Sequence, residues 1–290
     1  MNEFWRSANS DRFRKAGAYL LALGTVAAGI LDLIWGEFDA AHQQIDALGD
    51  HLPGRTVFAY ITAVWMISGG AAVLWRRTAR AGALAIAIVY FMFAMFWLPR
   101  FYSGPHILGF RFTLFTGLLA QMCSQLIVVA GGLLLYASFE PPASFWPKAS
   151  LVGARWTFGV GSALFGFGHL TRIDIVARMI PRWMPLGAPF WVVVTGIGFV
   201  LAGVAILSGV LNVLAARLLG LMLVIFELAL IPLLFAGPHQ HVVWGANAYN
   251  LAAAGAAWIF AASITERHAQ SQREHDPKLY FAEASALRRD

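Results

Sequence analysis

The sequence predicts an all-α integral membrane protein with eight transmembrane helices, built as two parallel-repeat four-helix units. Three observations carry this reading. Of 290 residues, 59% are hydrophobic and 12% charged, and the mean hydropathy is +0.65; a soluble domain is nearer half apolar and a quarter charged. No acid lies between Asp50 and Glu140, and only Glu227 lies between Asp174 and Glu266, so long stretches have no acid with which to coat a water-facing surface. The later part of the chain also repeats the earlier part. A soluble enzyme is excluded.

The apolar segments run over 16–36, 56–75, 79–98, 112–137, 152–171, 189–210, 213–235 and 242–264. Each is about the length needed to cross a bilayer, and in lipid each satisfies its own backbone only as a helix. Residues 1–15 precede the first span. A signal peptide is rejected there, because 16–36 is half of a repeated pair. The segment 139–151 is a proline-containing linker, and 265–290 a polar tail. Between the fifth and sixth spans, the text around Arg172, Arg178 and Arg182 reads as a short interfacial amphipathic helix ended by Pro181 and Pro185. With both termini cytoplasmic, 15 of the 21 Lys and Arg residues fall on the inside and 6 outside, the bias expected of a multi-pass protein in the cell membrane. Trp35, Trp75, Trp97, Trp183 and Trp244 stand near span ends, as interfacial anchors do. Cys123 is the only cysteine, which excludes an internal disulfide. The basic residues are scattered at helix ends rather than clustered on one face, so no nucleic-acid partner is expected.

Shifted by 133 residues, 56–106 aligns without a gap onto 189–239, with identities that include Thr62/Thr195, Gly70/Gly203, Phe93/Phe226 and Pro99/Pro232. A junction Pro-x4-Gly-Pro-His occurs twice, ending at His106 and at His239, and reads as a helix stop followed by a turn. The first spans align at a shift of 137: Gly24/Gly161, Gly29/Gly166 and Asp32/His169. Units 16–138 and 152–264 therefore hold four spans each. An even number returns the chain to the same side, so a pseudo-twofold axis along the membrane normal is expected.

Gly166 and His169 at the end of a span, Pro181 and Pro185 in the following loop, and Thr195, Gly196 and Gly203 in the next span resemble the DoxX-like family of four-span membrane proteins. The family's acidic position in that next span is Phe199 here and Met66 in the other half, and its first-span histidine is Asp32 in the first half. The resemblance implies a membrane component of a redox system linked to quinone, acting with a separate redox subunit. Quinone is the cofactor it points to.

Asp32 and His169 occupy equivalent places near the ends of their spans. Ionisable groups at that depth are functional candidates by default. Brought together they would form a carboxylate–imidazole pair able to hold a quinone carbonyl or shuttle a proton; kept apart, each would cap its own helix end. Glu227 sits near mid-span, with Ala94 as its repeat mate. It is either a proton or ligand group, or a structural acid bonded to Asn247 or Asn250. His106 and His239 lie in the repeated junctions, and duplication there favours structure over chemistry. Imidazoles would have to converge to hold haem or a metal, and the pattern predicts no metal site. Gln121, Ser124 and Gln125 join Asn247 and Asn250 as candidates for hydrogen bonds between helices. The rival reading is a transporter or binding protein for a small molecule or lipid, with the ligand between the two repeats.

Overall fold

The computed structural model describes residues 3–39, 42, 53–141, 144–236 and 240–275. Among them every regular element is a helix: α1 (Glu3–Trp35), α2 (Arg55–Leu74), α3 (Ala79–Phe96), α4 (Arg100–Leu108), α5 (Phe112–Ala137), α6 (Phe145–Thr171), α7 (Ile173–Ala177), α8 (Ala188–Ser208), α9 (Asn212–Ala236) and α10 (His241–His275). Seven stretches are long and apolar enough to cross a membrane, one each in α1, α2, α5, α8, α9 and α10 and one running from Ala79 to Leu108. The chain is a multi-pass, all-helical membrane-type protein. Helix α6, expected as a span over 152–171, is as long as its neighbours but falls short of them in hydropathy, since Arg155, His169 and several glycines interrupt its apolar run.

Neighbours in sequence pack side by side: α1 on α2, α2 on α3, α3 on α5, then α6 on α8, α8 on α9 and α9 on α10. The circle closes through α1 on α10 and α5 on α6, with α5 also against α10. Helices α1 and α10 run antiparallel. Ser10 donates to the Ala262 carbonyl at 3.2 Å and Arg14 pairs with Glu266 at one end, while Trp35 stacks on His241 at the other. Helix α6 lies along the whole of α5 in the same way. Tyr136 meets Trp146 edge to face at one end, and Arg172 donates to the Thr113 carbonyl at 2.9 Å at the other.

Small residues let these helices approach, as membrane helix packing requires when no hydrophobic force separates protein from lipid. A Cβ on Gly70 would stand 2.7 Å from the Ala22 carbonyl oxygen, and one on Gly203 2.7 Å from that of Gly159. Gly29 lies as tightly against Ala63, and Gly166 against Gly196. Gly131 packs directly on Ala256 where α5 meets α10.

The elements depart from their expected bounds in several places. Residues 3–15 do not form a separate segment but the first turns of α1. The linker expected over 139–151 gives its last residues to α6, which begins at Phe145. The polar tail continues α10 as helix to His275. The expected interfacial helix is the single turn α7, which stops well before Pro181. The Pro-x4-Gly-Pro-His junction is helical: Pro99 caps α4, and Pro105 lies within it. Proline's fixed φ fits a helix, and at a helix start its missing N–H costs nothing. In the second half α9 runs through Pro232 to Ala236. Gly237, Pro238 and His239 lie outside the described residues.

Candidate functional site

Helix α1 ends at Trp35 because Gly36 turns into the left-handed region, with φ +65°, a conformation glycine takes without penalty. The chain then folds back over the helix end. The backbone N–H of Asp39 donates to Asp32 Oδ1 at 2.9 Å. Asp32 itself is 0% exposed. His241, the first residue of α10, places Nε2 3.2 Å from Asp32 Oδ1. His42 places Nδ1 3.9 Å from Oδ2. The carboxylate thus stands between two imidazoles that are themselves buried.

Aromatic rings hold both imidazoles. His241 lies parallel to Trp35, with centroids 4.9 Å apart. His42 lies parallel to Phe93 of α3 at 4.2 Å and meets Tyr90 edge to face. The Tyr90 hydroxyl is buried close to Asp32 and Thr25. Gly245, one turn into α10, leaves room for the Asp39 carboxylate, which a side chain there would strike. The outer rim is Glu37, 48% exposed in its side chain, whose Oε1 is 3.9 Å from His241 Nδ1 and whose Oε2 is 3.9 Å from Arg55 of α2. A buried carboxylate is costly unless paired. Two imidazoles and an amide make this an arrangement suited to holding a proton or an N–H···O contact to a ligand oxygen. Among the described residues no three His, Cys, Asp or Glu side chains are placed to hold a metal ion.

The other expected residues fall elsewhere. His169 is half-buried on α6, where its Nδ1–H donates to the Phe165 carbonyl at 2.8 Å and its ring rests on Phe199. It does not meet Asp32: α6 packs on α5 and α8, whereas α1 packs on α2 and α10. Glu227 is half-buried on α9, and its Oε2 has no hydrogen-bond partner. Asn247 donates to the Val243 carbonyl of its own helix at 2.8 Å, so the bond expected from Asn247 or Asn250 to Glu227 is not formed. Asn250 is half-buried on α10. Ser124 donates to the Gln121 carbonyl at 2.6 Å and accepts from Gln125 on α5, and it also reaches Tyr249 of α10, a contact between helices as expected. His106 is exposed on α4, with Nδ1–H donating to the Tyr102 carbonyl at 2.7 Å. His239 lies outside the described residues.

Sequence reasoning singled out Asp32 but missed its partners. His42 follows ten residues after it in a segment read only as a loop. His241 follows two residues after His239 and carries no signal that ties it to Asp32. Arg100 of α4 is also fully buried, with its guanidinium 3.9 Å over the Trp97 ring. The one available signal was a histidine closely following an acid at a span end, and that pattern does not say which later span returns beside it. No protein-family model, curated protein or solved structure matches this chain.

Proposed function

We propose that this chain is a DoxX-like integral membrane protein with eight spans in two parallel four-helix units, whose Asp32 cluster binds and passes a proton for a quinone-linked redox system completed by a separate subunit. The observation that carries the reading is the fully buried Asp32 carboxylate between His42 and His241. Imidazole takes up and releases protons near neutral pH, and an imidazole N–H is also a donor for a quinone carbonyl.

The packing supports the eight-span, two-unit form. Both ends of the described chain lie at one end of the α1–α10 pair. A chain that starts and finishes on one side crosses an even number of times, so seven apolar helices call for α6 as the eighth. Each neighbour relation in α1, α2, α3 and α5 recurs in α6, α8, α9 and α10. The glycine crossings recur at the same shifts: Gly29 with Gly166, and Gly70 with Gly203. Thr62 and Thr195 likewise bond equivalent carbonyls, Phe58 and Trp191.

The rival reading needs space for a ligand between the two units. At Gly17, Gly24 and Gly255 α1 lies so close to α10, and at Gly131 α5 lies so close to Ala256, that an added methyl group would strike the facing helix. The test is quinone retention. Lipid extracted from purified wild-type protein should contain quinone, and Asp32→Asn should retain about tenfold less, the loss of roughly 1.4 kcal/mol of binding. Equal quinone in both proteins, or none in the wild type, overturns the proposal.

A further inference from the structure

We infer that Glu37 and His241 form the route by which protons reach Asp32 from the water at the membrane face opposite the two chain ends. This rests on the proton-site reading above and adds its path and its side. Only one described side chain joins exposed carboxylate to buried carboxylate, and it does so with its two ring nitrogens. His241 Nδ1 faces Glu37 Oε1 at 3.9 Å, and Nε2 faces Asp32 Oδ1 at 3.2 Å. Glu37 is half exposed, whereas His241 is 8% exposed and Asp32 0%. Exposure therefore falls stepwise along the three groups.

The transfer balances within the ring. A proton given by the Glu37 carboxyl to Nδ1 makes an imidazolium, and release of the Nε2 proton to Asp32 Oδ1 restores a neutral ring. The N–H has then moved from Nε2 to Nδ1, and its return resets the relay. The 3.9 Å gap exceeds hydrogen-bonding distance, but Glu37 is exposed, so rotation of its side chain or one bridging water closes it. Trp35, stacked flat on the ring at an interplanar angle of 4°, holds the imidazole beside Asp32.

The charged and titratable groups around the relay come from four directions. Asp32 is on α1; Glu37, Asp39 and His42 are on the chain that follows it; Arg55 is on α2 and Tyr90 on α3. Arg55 lies beside Glu37 on the water side. Asp39 faces the same α10 turn from the covered side. His42 and Tyr90 face Asp32 itself, the endpoint of the route.

The experiment uses the full chain in phospholipid nanodiscs and infrared difference spectroscopy after a rapid pH jump. The carboxyl band lost in Asp32→Asn identifies Asp32. Its response should slow at least about tenfold in Glu37→Gln, a barrier increase of roughly 1.4 kcal/mol, and recover in Glu37→Asp. His241→Ala should slow it similarly, and added imidazole should restore the rate, which a merely structural histidine would not permit. Glu37 is on the surface, so Glu37→Gln keeps the test open if the His241 variant fails to fold. An unchanged Asp32 rate in Glu37→Gln overturns the route while leaving Asp32 as a proton site. A wild-type protein with no Asp32 band responding at any pH overturns both.

Discussion

Asp32 and Glu227 are both acids within apolar helices, yet their surroundings lead to opposite expectations on substitution. Asp32 accepts the Asp39 N–H and lies against two imidazoles. Asp32→Leu leaves the buried Asp39 N–H without its acceptor and takes the carboxylate from between the imidazoles, and should cost about 2 kcal/mol of stability. Asp32→Asn keeps an acceptor oxygen and should cost less than half as much. Unfolding in detergent micelles checks this; equal losses for Leu and Asn would mean that the hydrogen bonds contribute nothing. Glu227 Oε2 has no partner to lose. Glu227→Gln and Glu227→Leu should both leave stability within about 0.5 kcal/mol of wild type or raise it. A loss above about 1.5 kcal/mol for the leucine variant would reveal a bonded partner.

Between helices, the glycines divide into those that something touches and those that nothing touches. Gly166 faces the Gly196 carbonyl and Val200 of α8, and Gly203 of α8 faces Gly159 and Ala163 of α6. Even one methyl group at either position pushes α6 and α8 apart. Gly166→Ala and Gly203→Ala should each destabilise by about 1–3 kcal/mol, the usual cost of overpacking. Gly153 lies on the same helix α6 with open space around it. There Ala removes only glycine's excess freedom, and Gly153→Ala should stabilise by about 0.5–1 kcal/mol. Thermal unfolding of the three variants checks the contrast, and a uniform response would mean that α6 and α8 do not cross where these contacts place them.

For the whole molecule, the pairing of Ser10 and Arg14 with Ala262 and Glu266 predicts that both chain ends share one membrane face. In a Cys123→Ser background, Arg12→Cys and Gln272→Cys should react with an impermeant maleimide from the same side of sealed vesicles, and Arg178→Cys from the other. Labelling of Arg12→Cys and Gln272→Cys from opposite sides would make the number of crossings odd and remove α6 from the spans. The basic-residue bias further expects that shared face to be cytoplasmic, which right-side-out and inverted vesicles distinguish.

Composition and periodic apolarity sufficed to determine that the chain is helical and multi-pass, because a segment of about 20 apolar residues in lipid has no other way to satisfy its backbone. The glycines aligned at shifts of 133 and 137 include Gly29, Gly70, Gly166 and Gly203, which the structure places at close helix contacts, where a small residue is needed whatever its partner. Asp32 was legible for a related reason: an acid in an apolar run is conspicuous. Its partners were not. His42 reaches it only because Gly36 reverses the chain, and His241 only because the first and last long helices lie antiparallel, more than 200 residues apart in sequence. A sequence repeat compares positions and says nothing of adjacency, so it suggested His169 as a partner, whereas His169 bonds Phe165 of its own helix and rests on Phe199 of α8. Helix bounds at Pro99, Pro105 and Pro232 also differ from the turn that Gly-Pro suggested, because proline's fixed φ is itself compatible with a helix. Tertiary structure alone settled that the buried carboxylate faces two imidazoles, because that meeting depends on the order of helices around the bundle, and no local property of the chain encodes it.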